Sequence, residues 1–415
     1  MNNEDRFRHL YVIGQTGQGK SSIALTMARQ DIEQGKGLCI MDPHGELADD
    51  ILNYIPKERA EDVIYFNAGD EEFPIGLNLL EPKSDAEKDF LSNEFNAMFI
   101  KLYGADIWSP RLQEYGQMAA LTLMDDEEEG GAITDLVALF TNEEFRNKKR
   151  AKVKNEIVRL WWDKTFDSMG DKEKQEIIPY FSAKFNSFVS NGLMRNIVGQ
   201  AKGSFDFFDA MNDNKIILVN LAKGVIGEQN MSLLGMIFIN KIQMATMRRA
   251  TIPKKERTDF FFYIDEMQNF VSKSIGEILS EVRKYRLGMV MMHQYIAQLV
   301  KDGDSSVKDA VFGNVGSILS YKVGAEDAEH MKTEFAPLVS ESDLTGLDAF
   351  NSVMRMSIDN QPTPPFSLNV QKYWEYDGTI EFDENRAELI KELSRYKYGR
   401  KAELVSGEII NRLKG

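Results

Sequence analysis

The sequence predicts an α/β protein with a mainly parallel central sheet and an inserted all-α domain. Short, continuously apolar strands alternate with helices in the first eighty residues, a long helical stretch follows, and the alternation then resumes. Such strands are typical of parallel sheets covered by helices on both faces. The predicted α/β domain comprises residues 1–83 and 210–360, the insertion comprises residues 84–209, and residues 361–415 form a C-terminal extended segment and helices.

The first part of the α/β domain reads as a strand, a helix and two further strands. The predicted elements are the strand Leu10–Ile13, the helix Ser21–Gln34, and the strands Gly37–Met41 and Asp62–Phe66. From residue 84 onward apolar residues recur at helical spacing and runs of β-branched residues are scarce, which predicts the helical insertion.

The second part repeats the alternation of strands and helices. Strands are predicted over Lys215–Leu221, Asp259–Ile264, Gly288–Met292 and Ser317–Val323, and helices over Gln229–Arg249 and Ser274–Tyr285. The proline-containing stretch Asn360–Pro365 ends the periodicity. A short extended piece and two charged helices are predicted after it.

Composition limits the classes of function. The chain has 415 residues and a formal net charge of −15, so any DNA contact must be a local patch, a loop or the lining of an assembled ring. The single cysteine, Cys39, excludes an intrachain disulfide, and the four histidines are too scattered to predict a zinc site. The longest candidate membrane segment, Met231–Ile242, is too short to span a bilayer, and the N-terminus lacks the apolar region of a signal peptide.

The strongest motif is GQTGQGKS at Gly14–Ser21, which satisfies the pattern GxxxxGK[ST] between a predicted strand and a predicted helix. Glycines let the backbone wrap a phosphate, and successive N–H groups at a helix N-terminus attract anions. Lys20 would reach the β- and γ-phosphates of ATP, and the Ser21 hydroxyl would bind Mg²⁺. The alternative is a glycine-rich turn without a ligand. The residues predicted to contact the nucleotide are Gly14, Gln15, Thr16, Gly17, Gln18, Gly19, Lys20, Ser21, Ser22 and Asp42.

A second motif, FFFYIDEMQNF, places Asp265 and Glu266 at the end of a buried strand. Carboxylates at the carboxyl end of a parallel strand point into the crevice where ligands bind. Asp265 would hold Mg²⁺ through water, and Glu266 would orient or deprotonate the attacking water. The alternative is an acidic cap of a helix N-terminus.

Two weaker motifs also follow strands. In MDPHGEL, Asp42 ends a strand and Pro43 and Gly45 force a turn, so a structural turn is as good an interpretation as a catalytic one. In MMHQYIAQL, Gln294 follows the strand after that of Asp265 and could sense the γ-phosphate. A capping or loop role is the alternative that spacing alone favours for Gln294.

An oligomeric ATPase also needs a cation that neutralises transition-state charge, often an arginine of a neighbouring subunit. The candidates are Arg283, Arg286 and Arg195. We favour Arg283, because the strand that follows it leads to Gln294 and hence toward the nucleotide crevice.

The predicted insertion contains two oppositely charged segments. The acidic patch Asp125–Glu129 reads DDEEE, and the basic stretch Phe145–Arg159 carries seven basic residues and one acidic residue beside Trp161 and Trp162. The basic stretch could contact the phosphates of DNA or an acidic protein. The alternative is a solvated helix face with both tryptophans in the core.

The motifs GQTGQGKS, MDPHGEL, FYIDEMQNF and MMHQYIAQL, in this order, resemble the type IV secretion coupling ATPases of conjugation systems, which belong to the FtsK/HerA branch of RecA-type motors. The resemblance covers nearly the whole chain. It implies a RecA-like P-loop fold, a Walker A motif with Gly14, Gly19, Lys20 and Ser21, a Walker B pair at Asp265 and Glu266, and a post-strand glutamine at Gln294. The turn of Asp42, Pro43, Gly45 and Glu46 also has its counterpart in the family.

The resemblance implies a ring motor, expected to be a hexamer, that uses ATP and Mg²⁺ to pump DNA or a DNA–protein complex. Its partners would be other copies of the chain, DNA, and channel or relaxosome proteins, at the cytoplasmic face of the inner membrane. Members of this family usually carry N-terminal transmembrane helices, and this sequence shows none. The rival interpretations are a sister ATPase that powers apparatus assembly or protein export, and a nucleotide-dependent switch or scaffold. A GTPase is disfavoured because Asn240 and Lys241 are not followed by the aspartate of an NKxD motif.

Overall fold

The chain forms two compact units. The computed structural model describes residues 2–271, 275–300, 303–359, 361–376 and 378–414. The first unit comprises Met1–Phe66, Phe207–Leu221 and Ile242–Ser394, and the second comprises Asn67–Asp206, Ala222–Lys241 and Arg395–Gly415. The predicted domain divisions stay predictions, because compact units defined by contacts need not be domains that fold independently. Ser274 and Asn360, which were expected to begin a helix and a proline-containing stretch, lie outside the described residues.

The first unit is built on a mixed but mainly parallel sheet. The strands in the described residues are β1 (Leu10–Ile13), β2 (Gly37–Asp42), β3 (Val63–Asn67), β4 (Ile216–Asn220), β5 (Phe260–Ile264), β6 (Leu287–His293), β7 (Ser317–Ser320), β8 (Asn351–Arg355), β9 (Ser357–Ile358), β10 (Gln361–Pro362) and β11 (Phe366–Asn369). Nine of them form one sheet in the order β11-β8-β7-β1-β6-β5-β2-β4-β3, and β9 pairs with β10.

Consecutive strands in the series β7, β1, β6, β5, β2 and β4 pair in parallel with one another. All of them are buried along nearly their whole length, as expected for a sheet with covered faces. The predicted α/β fold with a mainly parallel sheet is therefore confirmed. At one side of the sheet β8 pairs antiparallel with β7, and the edge strand β11 pairs antiparallel with β8. Neither β8 nor β11 was predicted as part of the sheet.

The helices of the first half of the chain are α1 (Asn3–Arg6), α2 (Lys20–Glu33), α3 (Glu46–Leu52), α4 (Asp85–Tyr103), α5 (Pro110–Met124), α6 (Leu136–Thr141), α7 (Glu143–Arg150), α8 (Glu156–Leu160), α9 (Asp171–Ala183), α10 (Asn186–Ser190), α11 (Gly192–Val198) and α12 (Phe207–Asn212). Those of the second half are α13 (Lys223–Ile226), α14 (Glu228–Arg248), α15 (Ile275–Glu281), α16 (Ser306–Asn314), α17 (Ala325–Glu334), α18 (Glu341–Thr345), α19 (Glu384–Tyr398) and α20 (Ala402–Lys414).

The two units have different cores. In the first, side chains such as Val12, Ile40 and Tyr263 are buried between the sheet and its helices. In the second, aromatic rings cluster, with Phe99 at 4.7 Å from Trp108 and 5.0 Å from Phe185 between ring centroids. Such ring pairs add specific geometry to the burial of apolar area.

The predicted elements differ from the observed ones mainly at their ends. The predicted strand Ser317–Val323 ends at Ser320, and the helix predicted to reach Tyr285 ends at Glu281 and continues as a 3₁₀ turn over Val282–Tyr285. None of the helices among the described residues combines the length and the apolar character needed to cross a bilayer.

The buried histidine His9 joins β1 to its surroundings. Its ring is 1% exposed. The Nδ1 atom accepts a hydrogen bond from the backbone N–H of Met289 at 3.1 Å, so Nε2 carries the proton and donates to the Leu279 carbonyl at 2.8 Å. Burial lowers the pKa of His9 to about 4, assisted by the charge of Arg283 and opposed by the Leu279 carbonyl. The folded state therefore holds a neutral imidazole.

This neutral histidine predicts a loss of stability in mild acid. Between about pH 6.5 and pH 4 the unfolded chain binds a proton at His9 and the folded chain does not. As the pH falls through this window, the titration of His9 alone should lower the free energy of unfolding by about 1.4 kcal/mol per pH unit. Burial, the largest cause, lowers the pKa of His293 to about 3, which adds to the effect, and raises that of Asp265 to about 7, which opposes it.

The contribution of His9 is therefore measured by comparing the pH dependence of unfolding in the wild type and in His9→Asn. Asparagine tolerates the positive φ of 66° at this position and does not titrate. Urea unfolding at pH 7, 6 and 5 should give a shallower pH dependence for the variant than for the wild type. Equal slopes would contradict the assignment.

Candidate nucleotide site

The predicted site residues of the first unit converge at one edge of its sheet. The strands β1, β6, β5 and β2 are neighbours in that order. Their carboxyl ends lead into the Gly14–Ser21 loop, Gln294, the Asp265–Glu266 pair and Asp42, respectively. In open parallel sheets this edge is where ligands bind.

The Gly14–Ser21 loop has the shape of an anion cradle. Gly19 has a φ of +116°, which side-chain-bearing residues rarely adopt, and it directly precedes α2. A Cβ atom on Gly14 would lie 2.6 Å from the Tyr321 Cβ atom, so only glycine fits there. The loop can therefore present backbone N–H groups together with a helix N-terminus.

Three residues outside the predicted motifs hold this loop. The Tyr321 hydroxyl donates to the Gly19 carbonyl at 2.9 Å, and the backbone N–H of Phe350 donates to the Gln18 carbonyl at 2.9 Å. The Lys322 carbonyl accepts from the backbone N–H of Gln15 at 3.0 Å. No sequence motif marks these residues, because they contact the loop through its backbone groups and through close packing.

Lys20 is directed into its own loop. Its side chain is largely buried, and Nζ donates to the carbonyls of Gly14 at 2.7 Å and Gln15 at 3.2 Å. Burial lowers the pKa of Lys20, and the negative charges of Asp265 and Glu266 oppose this shift. A phosphate would offer Lys20 a charged partner in place of neutral carbonyls.

Asp265 lies in an environment that disfavours its charge. Burial raises its pKa to about 7, the negative charges of Asp42 and Glu266 add to the shift, and Lys20 opposes it. Within the described residues no cluster of three or more histidine, cysteine, aspartate or glutamate side chains could hold a metal by itself. Mg²⁺ typically takes one or two protein ligands and completes its shell with phosphates and water. Ser21 and Asp265 fit that sparse requirement.

Glu266 adopts a left-handed backbone conformation, with φ 47° and ψ 49°. Its Oε1 atom accepts a hydrogen bond from Gln294 Nε2 at 2.9 Å, and its Oε2 atom accepts one from Gln268 Nε2 at 2.6 Å. The structure thus brings together Glu266 and Gln294, which follow strands that are consecutive in the sequence. Gln268 lay inside the motif DEMQNF, but no role was predicted for it.

Gln294 itself belongs to an ordered turn. The backbone N–H groups of Gln294 and Tyr295 donate to Gln298 Oε1 at 3.2 and 3.3 Å. The next backbone N–H, that of Ile296, donates to Asp327 Oδ1 at 2.9 Å. This turn presents the Gln294 amide toward Glu266.

Asp42 has a structural role in its turn. Its Oδ1 atom accepts from the backbone N–H of His44 at 2.8 Å, and its Oδ2 atom accepts from that of Leu47 at 2.6 Å. Gly45 has a φ of +93°, and a Cβ atom there would lie 2.2 Å from Asn220 Nδ2. These contacts support the structural interpretation of the MDPHGEL turn. Nucleotide binding by Asp42 stays a prediction.

The expected position of Arg283 is wrong for its own subunit. Arg283 lies in the 3₁₀ turn before β6. Burial is the largest cause of the lowered pKa of His9, the residue before β1, and the charge of Arg283 lowers it further. Arg283 is therefore at the amino ends of the strands, whereas Gln294 follows the carboxyl end of β6, about 20 Å along the strand. A role for Arg283 across a subunit interface stays a prediction.

The other two arginine candidates have partners within their own units. Arg286 is paired with Asp259 and with Glu4, whose Oε1 atom lies 2.8 Å from Nη1. Arg195 lies in the second unit and donates from Nη1 to the Val189 carbonyl at 3.1 Å.

The basic stretch of the second unit is paired with the acidic patch. Lys149 is fully buried, and its Nζ atom lies 2.7 Å from Asp126 and 2.8 Å from Glu129. The remaining pairs between the two segments join Lys148 to Glu129 at 3.3 Å, Lys152 to Glu128 at 2.6 Å and Lys154 to Glu127 at 2.6 Å. The stretch therefore offers far less positive charge than its sequence suggests.

The two tryptophans beside this stretch are also internal. Trp161 Nε1 donates to Glu114 at 2.8 Å, and Trp162 Nε1 donates to the Thr122 hydroxyl at 2.8 Å. Both indole rings are buried. These contacts support the alternative in which the tryptophans belong to the core and the basic stretch is structural.

Comparison with known proteins places the chain among secretion proteins. A family model described as type IV secretory system conjugative DNA transfer matches residues 1–336. The chain matches none of the curated proteins.

Several solved structures share the fold. The unbound form of the bacterial conjugative coupling protein TrwBdeltaN70 is 15% identical, with a TM-score of 0.63 over 92% of this chain and 89% of that one. The plasmid coupling protein TrwB in complex with ADP and Mg²⁺ is 14% identical, with a TM-score of 0.63 over 93% and 89%. VirB4 of Thermoanaerobacter pseudethanolicus is 11% identical, with a TM-score of 0.59 over 88% and 89%.

The buried pairing of Lys149 predicts a large effect on stability. Although burial opposes it, Lys149 and backbone N–H groups hold the pKa of Asp126 below its usual range. Lys149→Met keeps the length of the side chain but leaves the buried carboxylate of Asp126 without its cation. We expect a loss of about 3 kcal/mol in the free energy of unfolding.

Urea unfolding monitored by tryptophan fluorescence would measure this loss. Lys172→Met, at an exposed lysine of the same unit, is the matched control and should change stability by less than about 0.5 kcal/mol. Equal stability of the two variants would show that the buried pairing contributes nothing.

Proposed function

Because the chain belongs to the type IV secretory system conjugative DNA transfer family, we propose that it is an ATP-hydrolysing motor that couples DNA, or a DNA–protein complex, to a type IV secretion channel. One observation carries the enzymatic part of this proposal. Glu266 and Gln294 are joined by a hydrogen bond, at the sheet edge where Asp265 and Lys20 also lie. This is the set of groups that phosphoryl transfer requires.

Nucleotide binding would use the Gly14–Ser21 loop in its observed conformation. The backbone N–H groups of residues 17–21 and the N-terminus of α2 would surround the β-phosphate. Lys20 would exchange the carbonyls of Gly14 and Gln15 for phosphate oxygens. The Ser21 hydroxyl and the Asp265 carboxylate would hold Mg²⁺, which when bound neutralises charge on the phosphates.

Hydrolysis would use Glu266 as the base. Its carboxylate would accept a proton from a water molecule as the water oxygen bonds to the γ-phosphorus and the bond to the ADP oxygen breaks. Lys20 would stabilise the charge that develops on the departing oxygen. Gln294 would contact the γ-phosphate and so report whether it is present.

The motor would act as a ring of identical subunits, which we propose to be a hexamer. An arginine of the neighbouring subunit, with Arg283 as the candidate, would complete each site. DNA would pass through the pore, because the basic stretch of the second unit is already paired with the acidic patch. Channel or relaxosome proteins would hold the ring at the cytoplasmic face of the membrane.

Two substitutions test the chemical assignment. Lys20→Ala should abolish ATP hydrolysis and weaken nucleotide binding, because it removes the cation of the loop. Glu266→Gln should still bind ATP but hydrolyse it about 10²-fold more slowly, because the amide cannot accept the proton. Steady-state phosphate release and binding of a fluorescent nucleotide measure the two effects, and normal turnover in either variant would remove that residue from the mechanism.

Dependence on DNA tests the biological assignment. Turnover of the wild type should rise when single- or double-stranded DNA is added, and the protein should assemble into a ring in the presence of nucleotide. ATP hydrolysis that DNA does not stimulate would favour the sister ATPase that powers assembly or protein export. Nucleotide binding without hydrolysis would favour a switch.

The raised pKa of Asp265 predicts proton release on Mg²⁺ binding. With a pKa of about 7, the carboxyl is about half protonated at pH 7 and mostly protonated below it in the free protein, and it must lose this proton to hold the metal. The affinity for Mg²⁺·ADP should therefore fall as the pH falls from 8 to 6. Calorimetry at pH 7 in two buffers of different ionisation enthalpy should give different heats. The difference should vanish in Asp265→Asn and in ADP with a chelator, and identical heats for the wild type would contradict the prediction.

A further inference from the structure

We propose that Gln268 is a positioning residue that holds the Glu266 carboxylate in its reactive place while Gln294 leaves it for the γ-phosphate. This inference rests on the proposed ATP hydrolysis and assigns a role to a motif residue for which the sequence predicted none. Its basis is the pair of amides on Glu266, with Gln268 on Oε2 at 2.6 Å and Gln294 on Oε1 at 2.9 Å.

The two amides come from different parts of the fold. Gln294 follows β6, whereas Gln268 lies two residues after Glu266 in the 3₁₀ turn Met267–Asn269. Backbone bonds fix this turn, because the N–H of Asn269 donates to the Glu266 carbonyl at 3.1 Å and that of Phe270 donates to the Met267 carbonyl at 3.0 Å. Met267 and Phe270 are buried on either side. The Gln268 amide therefore moves with Glu266, and the Gln294 amide does not.

The Glu266 backbone makes such support necessary. A left-handed conformation costs a non-glycine residue about 1 kcal/mol or more, so it persists only when surrounding contacts over-determine it. The side chain faces the negative charge of Asp265, while Lys20 is the cation that interacts with both carboxylates. The contact with Gln268 supplies a donor that opposes movement of the carboxylate away from the site.

If Gln294 senses the γ-phosphate, Gln268 must hold the Glu266 carboxylate while Gln294 is turned away from it. The Nε2 atom of Gln294 has only two hydrogens, and one of them is directed at Glu266. When this amide turns to a γ-phosphate, Oε1 of Glu266 becomes available to accept the proton of the attacking water. The bond from Gln268 to Oε2 then keeps the carboxylate in register with that water.

The test compares three variants of the full chain. Gln268→Ala removes the donor, and Gln268→Glu keeps the shape but places a second carboxylate against Glu266. Asn269→Ala changes a side chain of the same turn and keeps the backbone bond from residue 269 to the Glu266 carbonyl. Misplacement of a catalytic group by about 1 Å can cost 10²-fold in rate. We expect kcat to fall about tenfold in Gln268→Ala and about 10²-fold in Gln268→Glu. It should stay within about twofold of the wild type in Asn269→Ala. The KM for ATP and the affinity for a fluorescent ADP analogue should be unchanged in all three.

A double variant separates positioning from a structural role. If Gln268 acts through Glu266, adding Gln268→Ala to Glu266→Gln should leave the residual rate unchanged, because the base is already absent. A further drop in rate in the double variant, or a parallel loss of nucleotide affinity and thermal stability in the single variants, would overturn the proposal. Normal kcat in both Gln268 variants would also overturn it.

The outcomes distinguish this inference from the proposed function. Slow turnover in Glu266→Gln with normal turnover in Gln268→Ala and Gln268→Glu would reject the role of Gln268 and leave the ATPase intact. A wild-type chain that binds the nucleotide and does not hydrolyse it would reject both.

Discussion

The parallel register of β1, β6, β5 and β2 is the constraint on which the site depends. Ile13 pairs with His293, and Ile264 pairs with both Met291 and Met41. The backbone N–H of Asp265 continues this ladder to the Met41 carbonyl at 3.0 Å. A slip of one residue would turn every side chain of the slipped strand to the opposite face of the sheet. Register therefore sets the distances between groups that are far apart in sequence.

Within that frame, the site combines high negative charge with burial. Asp265 interacts with the carboxylates of Asp42 and Glu266, and Lys20 interacts with Asp265 and Glu266. Asp42 accepts hydrogen bonds from backbone N–H groups, and Glu266 accepts them from two side-chain amides. Burial instead raises the pKa of Asp265. Only Asp265 is left in a state that a cation would improve. The hydrogen-bond donors thus suit three similar side chains to different proposed roles: Asp42 to a structural role, Glu266 to that of the base and Asp265 to that of the metal ligand.

The sequence was informative where function requires a local pattern. The phosphate loop, the acidic pair and Gln294 each follow an apolar strand, so both their presence and their shared edge could be predicted. Tyr321, Phe350 and Gln268 could not, because they act through a single hydrogen bond or through packing that depends on the folded chain. The strand β8 and the edge strand β11 were not predicted either, because their sequences lack the pattern of a buried strand. The apolar residues of β8 are only Val353 and Met354, and β11 is mostly exposed, so neither strand contains an apolar run.

Formal charge along the chain was the least reliable guide. The basic stretch and the acidic patch lie about twenty residues apart in sequence, yet they meet as a set of ion pairs with a fully buried lysine at its centre. Neither segment can change its charge alone without leaving its counterpart uncompensated. The two segments should therefore covary among relatives of this chain, with a loss of acidic residues at 125–129 accompanied by a loss of basic residues at 148–154.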